Sequence, residues 1–313
     1  MFYNVVNWYF FDIKQYKAIL RIGYNESGMR IMQKVIITNL LVNLQQLIVK
    51  SAVICLLRKE YTMNEDKFTG KAQIYSQFRP GYPAEFIDYL YTATGFRDSS
   101  TIADIGSGTG IFSKYLLLKN STVFGVEPND DMRSTAGKDL SRFKNYRLVK
   151  ASAEHTGLPD SFVDFITVAQ AFHWFDRAAF RSECRRVLKE GGKVVLVWNI
   201  REETNNLMLE NDRINKKYCK DYHGFSSGYG GEMPEAYSDF FKGGICEYKT
   251  FRHEICSDLD GFIGRNLSSS YAPDEGTEDY TAYIRELSEL FFKYSRGGEI
   301  QFPYITKSYV GEI

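Results

Sequence analysis

Two acidic residues, each at the end of a short apolar run, carry the clearest chemical signal in the sequence. Asp104 ends the run TIAD and is followed by glycines at 106, 108 and 110, and Glu127 ends the run VFGVE 23 residues later. Glycine lets a backbone approach a ligand closely and adopts dihedral angles that other residues avoid. An α/β sheet binds a nucleoside with a strand, a glycine loop, a helix and a second strand whose terminal acid accepts from the ribose hydroxyls. The pair therefore predicts a cofactor that contains a nucleoside.

The spacing of the glycines separates two classes of cofactor. A dinucleotide loop, G-x-G-x-x-G, needs its third glycine at position 111, which is isoleucine. The sequence reads D-x-G-x-G-x-G, with an acid directly before the loop. A pyrophosphate gains from a helix N-terminus free of negative charge, so Asp104 disfavours one and suits a ligand with an ammonium group. A nicotinamide-dependent oxidoreductase stays as the alternative function, and an ordinary tight turn as the alternative structure.

This pattern resembles the first motif of the class I S-adenosylmethionine-dependent methyltransferases, type 11 group, and the resemblance covers about residues 65–313. It implies S-adenosylmethionine as cofactor. The residues that would hold its methionine end are Asp104, Gly106, Ser107 and Gly108. Those that would hold its ribose and adenine are Glu127, Pro128, Ser152, Ala153 and Glu154, with Gln170 following the fourth strand. Many relatives have aspartate where Ser152 stands, so recognition of the adenine amine would pass to Glu154, for which a solvated loop acid is the alternative.

The segment IYSQFRPGYP resembles the N-terminal lid of a subgroup that includes trans-aconitate methyltransferase and similar small-molecule enzymes. Arg79 in this segment could pair with the carboxylate of the cofactor, and Tyr75 could pack near its sulfonium. A surface ion pair and a core tyrosine are the structural alternatives. The segment GRNLSSSYAP at 264–273 also matches the subgroup and predicts part of the wall around the acceptor.

His173, after the fourth strand, is the candidate general base. Methyl transfer is an in-line displacement for which the enzyme supplies mainly alignment and exclusion of water. A carboxylate nucleophile needs no base, whereas a hydroxyl, amine or carbon acid can need one. A structural histidine next to Trp174 is the alternative. The residues Ala169–Phe172 read AQAF rather than the N-P-P-Y type of motif that holds a nucleobase amine, so nucleic acid is not an expected partner.

Alternating strands and helices are needed to position these residues. The predicted strands are 101–105, 122–127, 146–150, 162–169, 193–199, 246–256 and 300–311. The predicted helices are 84–94, 111–118, 131–139, 177–189, 203–220 and 278–293. Such alternation means right-handed βαβ units. We predict an α/β, doubly wound, mostly parallel seven-stranded Rossmann-like sheet, with a reversed last strand as the resemblance implies, and a helical cap insertion at about 201–244.

The first 62 residues differ from the rest in composition. They hold 8 Lys and Arg against 3 Asp and Glu, whereas the whole chain of 313 residues holds 39 of each. Their apolar run at 35–57 is interrupted by Asn, Gln and Lys, which a membrane span tolerates poorly. We expect residues 1–62 to lie outside the native domain, which would begin at Met63 and span 63–313. A basic membrane-surface anchor is the alternative.

Composition limits the function further. Five widely spaced cysteines without a C-x-x-C pair fit reduced thiols rather than disulfides or a zinc site, so we expect no metal and a cytoplasmic location. The chain as a whole is not basic, and no membrane partner is expected. The sequence predicts an S-adenosylmethionine-dependent methyltransferase acting on a small molecule, with a carboxylic acid as the suggested acceptor. A methyltransferase-like binding subunit without catalysis is the alternative from another class.

Overall fold

A computed structural model of the chain describes residues 72–201, 205–224, 237 and 239–313. The chain divides into two units, Met1–Met63 and Asn64–Ile313. All the described residues belong to the second unit. The predicted N-terminal extension, residues 1–62, and parts of the predicted cap therefore lie outside the described residues.

Seven strands of the described chain form one sheet in the order β3-β2-β1-β4-β5-β7-β6. They are β1 (Thr101–Ile105), β2 (Thr122–Val126), β3 (Tyr146–Val149), β4 (Val163–Ala169), β5 (Leu188–Arg201), β6 (Glu247–Ser257) and β7 (Ile300–Gly311). Neighbours among β1 to β5 are parallel, and β7 runs antiparallel to both β5 and β6. The predicted doubly wound, mostly parallel sheet is confirmed.

Helices connect the strands and cover the sheet. The α-helices of the described residues are α1 (Ala72–Phe78), α2 (Ala84–Ala93), α3 (Ile111–Leu118), α4 (Asp130–Asp139), α5 (Arg177–Val187), α6 (Asn206–Tyr218), α7 (Leu259–Leu267) and α8 (Glu278–Tyr294). Side chains that satisfy the first free amide groups start several of them. Asn129 accepts from the amide of Met132 at the start of α4, and Asp176 accepts from two amides at the start of α5.

The central strands are buried on both faces, because helices lie on both sides of a parallel sheet. Successive residues of β1 show this: Ile102 packs with α2 and α3 in one apolar cluster, and Ala103 packs in a second cluster with α5. Both side chains are fully buried. The carboxyl end of β1, where Asp104 stands, is thus held rigidly between two apolar layers.

A third apolar cluster joins α6, α7 and α8 to one end of β7. Phe262, Tyr283 and Phe302 lie at its centre, and the Tyr283 hydroxyl donates to Asn215 Oδ1 at 2.7 Å. The helical cap is therefore larger than the predicted insertion at 201–244, of which α6 is the described helix. Phe240 and Phe241, near the end of the predicted insertion, pack instead in the cluster with α5.

Two described helices were not predicted, and several element bounds differ from the predicted ones, that of β5 the most. α1 and α7 were not expected to be helices, and β5 begins at Leu188 rather than at residue 193. Leu188 pairs with Val163 across an irregularity in the β4–β5 register, so α5 ends at Val187 and the strand runs through the glycines that follow. No helix among the described residues has the length and apolar character needed to cross a membrane.

Candidate active site

A pocket lies at the carboxyl ends of β1, β4 and β5. β1 and β4 are the neighbours between which the chain order of the sheet reverses, which is where α/β sheets bind ligands. The predicted site residues that line the pocket are Tyr75, Arg79, Asp104, Gly106, Ser107, Gly108, Gln170 and His173. The predicted residues that do not line it are Glu127, Pro128, Ser152, Ala153 and Glu154.

Asp104 is fully buried at the end of β1, and both of its carboxylate oxygens accept hydrogen bonds. Ser113 Oγ on α3 donates to Oδ2 at 2.6 Å, and Thr167 Oγ1 on β4 donates to Oδ1 at 2.8 Å. Burial raises the pKa of Asp104 to about 6, although the two hydroxyls oppose the change. Desolvation disfavours the charged form. A cationic ligand group in the pocket would offset that penalty, and the ammonium group predicted from the sequence is one.

The glycine loop after β1 needs its glycines for two different reasons. A Cβ on Gly106 would lie 2.6 Å from the Cβ of Ala171, so Gly106 lets the loop pack against the segment after β4. Gly108 has φ of 56° and would have no atom within 4 Å of a Cβ, so it faces open space. A side chain at position 108 would fill that space. Because glycine leaves it open, a cofactor can lie against the backbone there.

Glu127 binds the backbone of the glycine loop instead of lining the pocket. Its Oε2 accepts from the amide of Gly108 and its Oε1 from the amide of Asn129, both at 2.9 Å. A carboxylate can accept about four hydrogen bonds, so these contacts are compatible with ribose hydroxyls donating to the same group. Glu127 couples the shape of the loop after β1 to the end of β2.

Glu154 is buried, so the alternative of a solvated loop acid is wrong. Its Oε1 accepts from the amide of Asp176, the residue that caps α5, at 3.0 Å. Burial raises the pKa of Glu154. Ala153 beside it packs in the apolar cluster with α5. The segment after β3 is therefore fastened to the start of α5, and a contact between Glu154 and adenine stays a prediction.

Gln170 turns the chain at the end of β4 in a backbone conformation that is uncommon outside glycine. Its φ is 62°, its amide donates to Val197 O at 2.9 Å, and its Nε2 donates to Asn199 O at 3.1 Å. The turn leads into a 3₁₀-helix, Phe172–Trp174, which carries His173. The His173 ring lies 4.7 Å from the Trp174 ring, between centroids. Strained residues of this kind gather at functional sites.

The segment predicted as a lid lines the pocket with four residues, which include the two predicted site residues, Tyr75 and Arg79. Tyr75 lies on α1, and the Arg79 guanidinium carbon is 4.8 Å from the centroid of its ring. Arg79 Nη2 also donates to the carbonyl of Ser268, after α7, at 3.2 Å. Arg79 forms no ion pair with a carboxylate of the described residues, so the alternative of a surface ion pair does not apply there.

Sequence reasoning missed three polar residues of the pocket. Arg201, at the end of β5, donates from Nε to the hydroxyl of Tyr304 at 2.8 Å. Arg265, on α7, lies over the ring of the same tyrosine, with 4.3 Å between the guanidinium carbon and the centroid. Asn199 Nδ2 donates to the carbonyl of Gly81 at 2.9 Å, which ties the lid segment to the sheet. None belongs to a motif, although Arg265 falls in the segment predicted as the acceptor wall.

The charges around the pocket are unequal. Among the described residues that line it, Asp104 is the one acid, and Arg79, Arg201 and Arg265 are cations. The acid lies beside the glycine loop, and two of the arginines come from β5 and α7. The pocket can thus hold a ligand with a cationic group near the loop and an anionic group near the arginines.

Comparisons with known proteins give the same family as the motifs. Residues 103–196, from β1 into β5, match the methyltransferase domain family. An uncharacterised methyltransferase-like protein of Schizosaccharomyces pombe is 27% identical over 239 residues, which is 76% of this chain and 92% of that protein. An uncharacterised methyltransferase of Mycobacterium tuberculosis is 37% identical over 129 residues, which is 41% of this chain and half of that protein.

A solved structure agrees on the fold. A protein of Anaeromyxobacter dehalogenans, described as a proposed type II methyltransferase, superposes with a TM-score of 0.56 at 22% identity. The match covers 75% of this chain and 98% of that one. At that identity the likeness shows the fold alone. The family match and the methyltransferase relatives, together with the glycine loop, set aside the oxidoreductase alternative: residues 103–196 belong to a class I S-adenosylmethionine-dependent methyltransferase domain.

Proposed function

We propose that the protein transfers the methyl group of S-adenosylmethionine to a small molecule that carries a carboxylic acid. One observation carries this proposal: the glycine loop and three arginines line the same cavity. The glycine loop would bind the cofactor, and the arginines would bind an anionic group beside it. Guanidinium groups bind carboxylates with parallel hydrogen bonds and are the usual partners of such anions.

The residues at the glycine loop fit the methionine end of the cofactor. Asp104 would balance the ammonium group, and Arg79 would pair with the carboxylate. Tyr75 offers an aromatic face to a cation. The bound cofactor supplies a methyl carbon activated by its positive sulfur. The contribution of this chain is to fix the position of the cofactor and to exclude water from the reacting atoms.

The acceptor would lie between the loop and the arginines. If a carboxylate is methylated, one of its oxygens forms a bond to the methyl carbon while the carbon–sulfur bond breaks and its electron pair stays on sulfur. The products are a methyl ester and S-adenosylhomocysteine, and no proton moves. The arginine-lined pocket supports a small acceptor rather than nucleic acid or a membrane surface. No disulfide joins the four described cysteines, which supports a reducing, cytoplasmic setting.

His173 provides a test of which atom is methylated. Replacing His173 with alanine should lower turnover only slightly if the acceptor atom is a carboxylate oxygen, since no proton must be removed. If His173 is the base for a hydroxyl or carbon acid, the rate should fall by roughly 10²–10⁴-fold. The measurement is single-turnover methyl transfer at several pH values. An unchanged rate with an acceptor shown to lack an acidic group would exclude the role of base.

The direct test of the proposal uses labelled S-adenosylmethionine and a fractionated metabolite extract, with calorimetry of S-adenosylhomocysteine and of NAD. We expect S-adenosylhomocysteine to bind, NAD not to bind, and label to appear in an acid that becomes less anionic. Label in a neutral or cationic product would contradict the acceptor class. Binding without transfer to any fraction would favour the binding-subunit alternative.

A further inference from the structure

Arg265 is a buried cation without a hydrogen-bond acceptor in the described chain. The residue is 4% exposed and lines the pocket. Its Nε has no partner, and no described atom accepts a hydrogen bond from its guanidinium group. Its contacts are with two aromatic rings, those of Tyr304 at 4.3 Å and Phe302 at 5.3 Å. An arginine has five N–H donors, and a buried one normally uses them.

The other two arginines of the pocket differ from Arg265 in this respect. Arg201 donates to Tyr304 and Asn211, and Arg79 donates to the carbonyl of Ser268. Burial, and then the positive charges of Arg201 and Arg79, lower the pKa of Arg265. No carboxylate in the described chain opposes these effects. The described surroundings of Arg265 therefore lack an anion that could pair with its guanidinium group.

We propose that Arg265 anchors the acceptor by binding one of its carboxylates, and that a different group of the acceptor receives the methyl. The inference rests on the proposed function and deepens it by naming the residue that selects the acceptor. A carboxylate bound by both arms of a guanidinium has one lone pair of each oxygen engaged and its charge offset, which lowers its nucleophilicity. Arg265 comes from α7 and Asp104 from the end of β1, so the proposed anchor and the glycine loop lie on different elements of the pocket wall.

A purely structural role for Arg265 makes the opposite prediction about stability. A structural arginine stabilises the fold through its hydrogen bonds, and its removal destabilises the protein. Arg265 makes only ring contacts, and an unpaired buried charge is unfavourable. Replacing it with methionine, which has a similar length and no charge, should therefore leave the apo protein as stable as before or more stable, while recognition of the anion is lost.

The test compares wild type with Arg265→Met, Arg265→Lys and the control Arg181→Met. Arg181 lies on α5, donates to the carbonyl of Phe241 and does not line the pocket. The melting temperature is followed with succinate, glutarate and their neutral diamides at about 10 mM, with and without S-adenosylhomocysteine. Affinity for S-adenosylhomocysteine is measured separately by calorimetry.

We expect at least one dicarboxylate to raise the melting temperature of wild type and of Arg181→Met by about 2 °C or more, and the diamides to have no effect. In Arg265→Met the shift should disappear, and in Arg265→Lys it should shrink. Affinity for S-adenosylhomocysteine should change less than about threefold in both. Because Arg265→Lys keeps the charge, it replaces Arg265→Met in the comparison if that variant does not fold.

Failure of the proposed function and failure of this inference give different results. Wild type that does not bind S-adenosylhomocysteine would contradict the proposed function. Dicarboxylates that stabilise Arg265→Met as much as wild type, or that do not stabilise wild type, would overturn the role of Arg265. Equal stabilisation by a diamide would overturn recognition of charge.

Discussion

Asp104 makes the stability of the protein depend on pH, because its carboxyl group is buried. Its pKa is about 6 in the folded protein, against the ordinary value of 3.8. The folded state therefore holds the proton more tightly than the unfolded state. The stabilising contribution of the protonated group is fully present below about pH 4 and is lost as the pH rises through about 6.

Replacing Asp104 with asparagine should remove this pH dependence. The amide keeps hydrogen-bonding groups for Ser113 and Thr167 but never ionises. We expect the melting temperature of the apo variant, relative to wild type, to increase from pH 4.5 to pH 7.5. Affinity for S-adenosylhomocysteine should fall by about tenfold to a hundredfold at pH 7.5, as for loss of a charged hydrogen bond.

Thermal unfolding across that pH range and calorimetry at its upper end measure the two effects. The variant Asp164→Asn is the control, since Asp164 is a part-exposed acid that binds Lys189 away from the pocket. A difference in melting temperature between Asp104→Asn and wild type that is constant with pH would contradict the assigned cause.

At the level of single residues, the sequence could predict the pocket only where a motif marks it. Asp104 and the glycines were predicted from spacing, and the structure places them in the pocket. Arg201 was not predicted, and Arg265 was covered only as part of the segment 264–273 predicted as the acceptor wall, because the two come from β5 and α7 and meet only in the folded chain. The sequence around each arginine does not indicate that the two side chains will line the same pocket. The position of Glu127 was predicted, but its bonds to two backbone amides could be seen only in the structure.

At the level of elements, α1 and α7 form a cover beside the pocket. Phe78, the last residue of α1, packs on α7 at Gly264, where a Cβ would lie 2.4 Å from the phenyl ring. Arg79 then reaches the carbonyl of Ser268 just beyond α7. The absence of a side chain at Gly264 is what lets the two helices approach, and it therefore positions Tyr75 and Arg79.

Replacing Gly264 with alanine should push α1 away from α7. Overpacking of this kind costs about 1–3 kcal/mol, and affinity for S-adenosylhomocysteine should fall because Tyr75 and Arg79 are displaced. Adding Phe78→Leu should restore part of both losses. Calorimetry and thermal unfolding of the two single variants and the double variant measure the coupling.

Gly137→Ala is the matched control, since Gly137 lies within α4 and a Cβ there would meet only the flexible end of Leu148, at 3.2 Å. Alanine is favoured over glycine inside a helix, so this variant should be as stable as wild type or more stable. Losses in Gly264→Ala and Phe78→Leu that simply add in the double variant would mean that the two residues do not act together.

The elements that the sequence predicted well are apolar or alternating runs bounded by turn residues. β1 and β7 have the predicted bounds, because strand periodicity and flanking turns define them. α1 was missed because it is seven residues long and ends just before a proline-rich turn. α7 was missed because its two glycines obscure a helix that the Asp258 cap begins. Tertiary packing overrides weak local propensity in both.

At the level of the whole molecule, the two halves of the described chain contribute different parts of the pocket. β1 and β2 provide the glycine loop and the acids that hold it, whereas Arg201, Tyr304 and Arg265 come from β5, β7 and α7. The mostly parallel sheet could be predicted because alternating strands and helices imply right-handed βαβ units, whereas the order of the strands was seen only in the structure. The cap could be predicted only in part, since α7 and α8 join α6 from distant positions in the chain.

We propose that residues 63–313 are sufficient for cofactor binding. A chain that begins at Met63 should bind S-adenosylhomocysteine with an affinity within about threefold of the full chain, because every described residue that lines the pocket lies at or beyond Tyr75. Calorimetry on both chains measures this. A large loss of affinity in the shorter chain would contradict the proposal.

The contact between Gly264 and Phe78 also has an evolutionary consequence. A side chain at position 264 and a phenyl ring at position 78 exclude one another, so neither position can change freely while the other stays the same. Among relatives that keep both helices, a larger residue at 264 should occur together with a smaller one at 78. The two positions, 186 residues apart in sequence, should therefore covary. Relatives with large residues at both positions should lack the first helix or have it in another place.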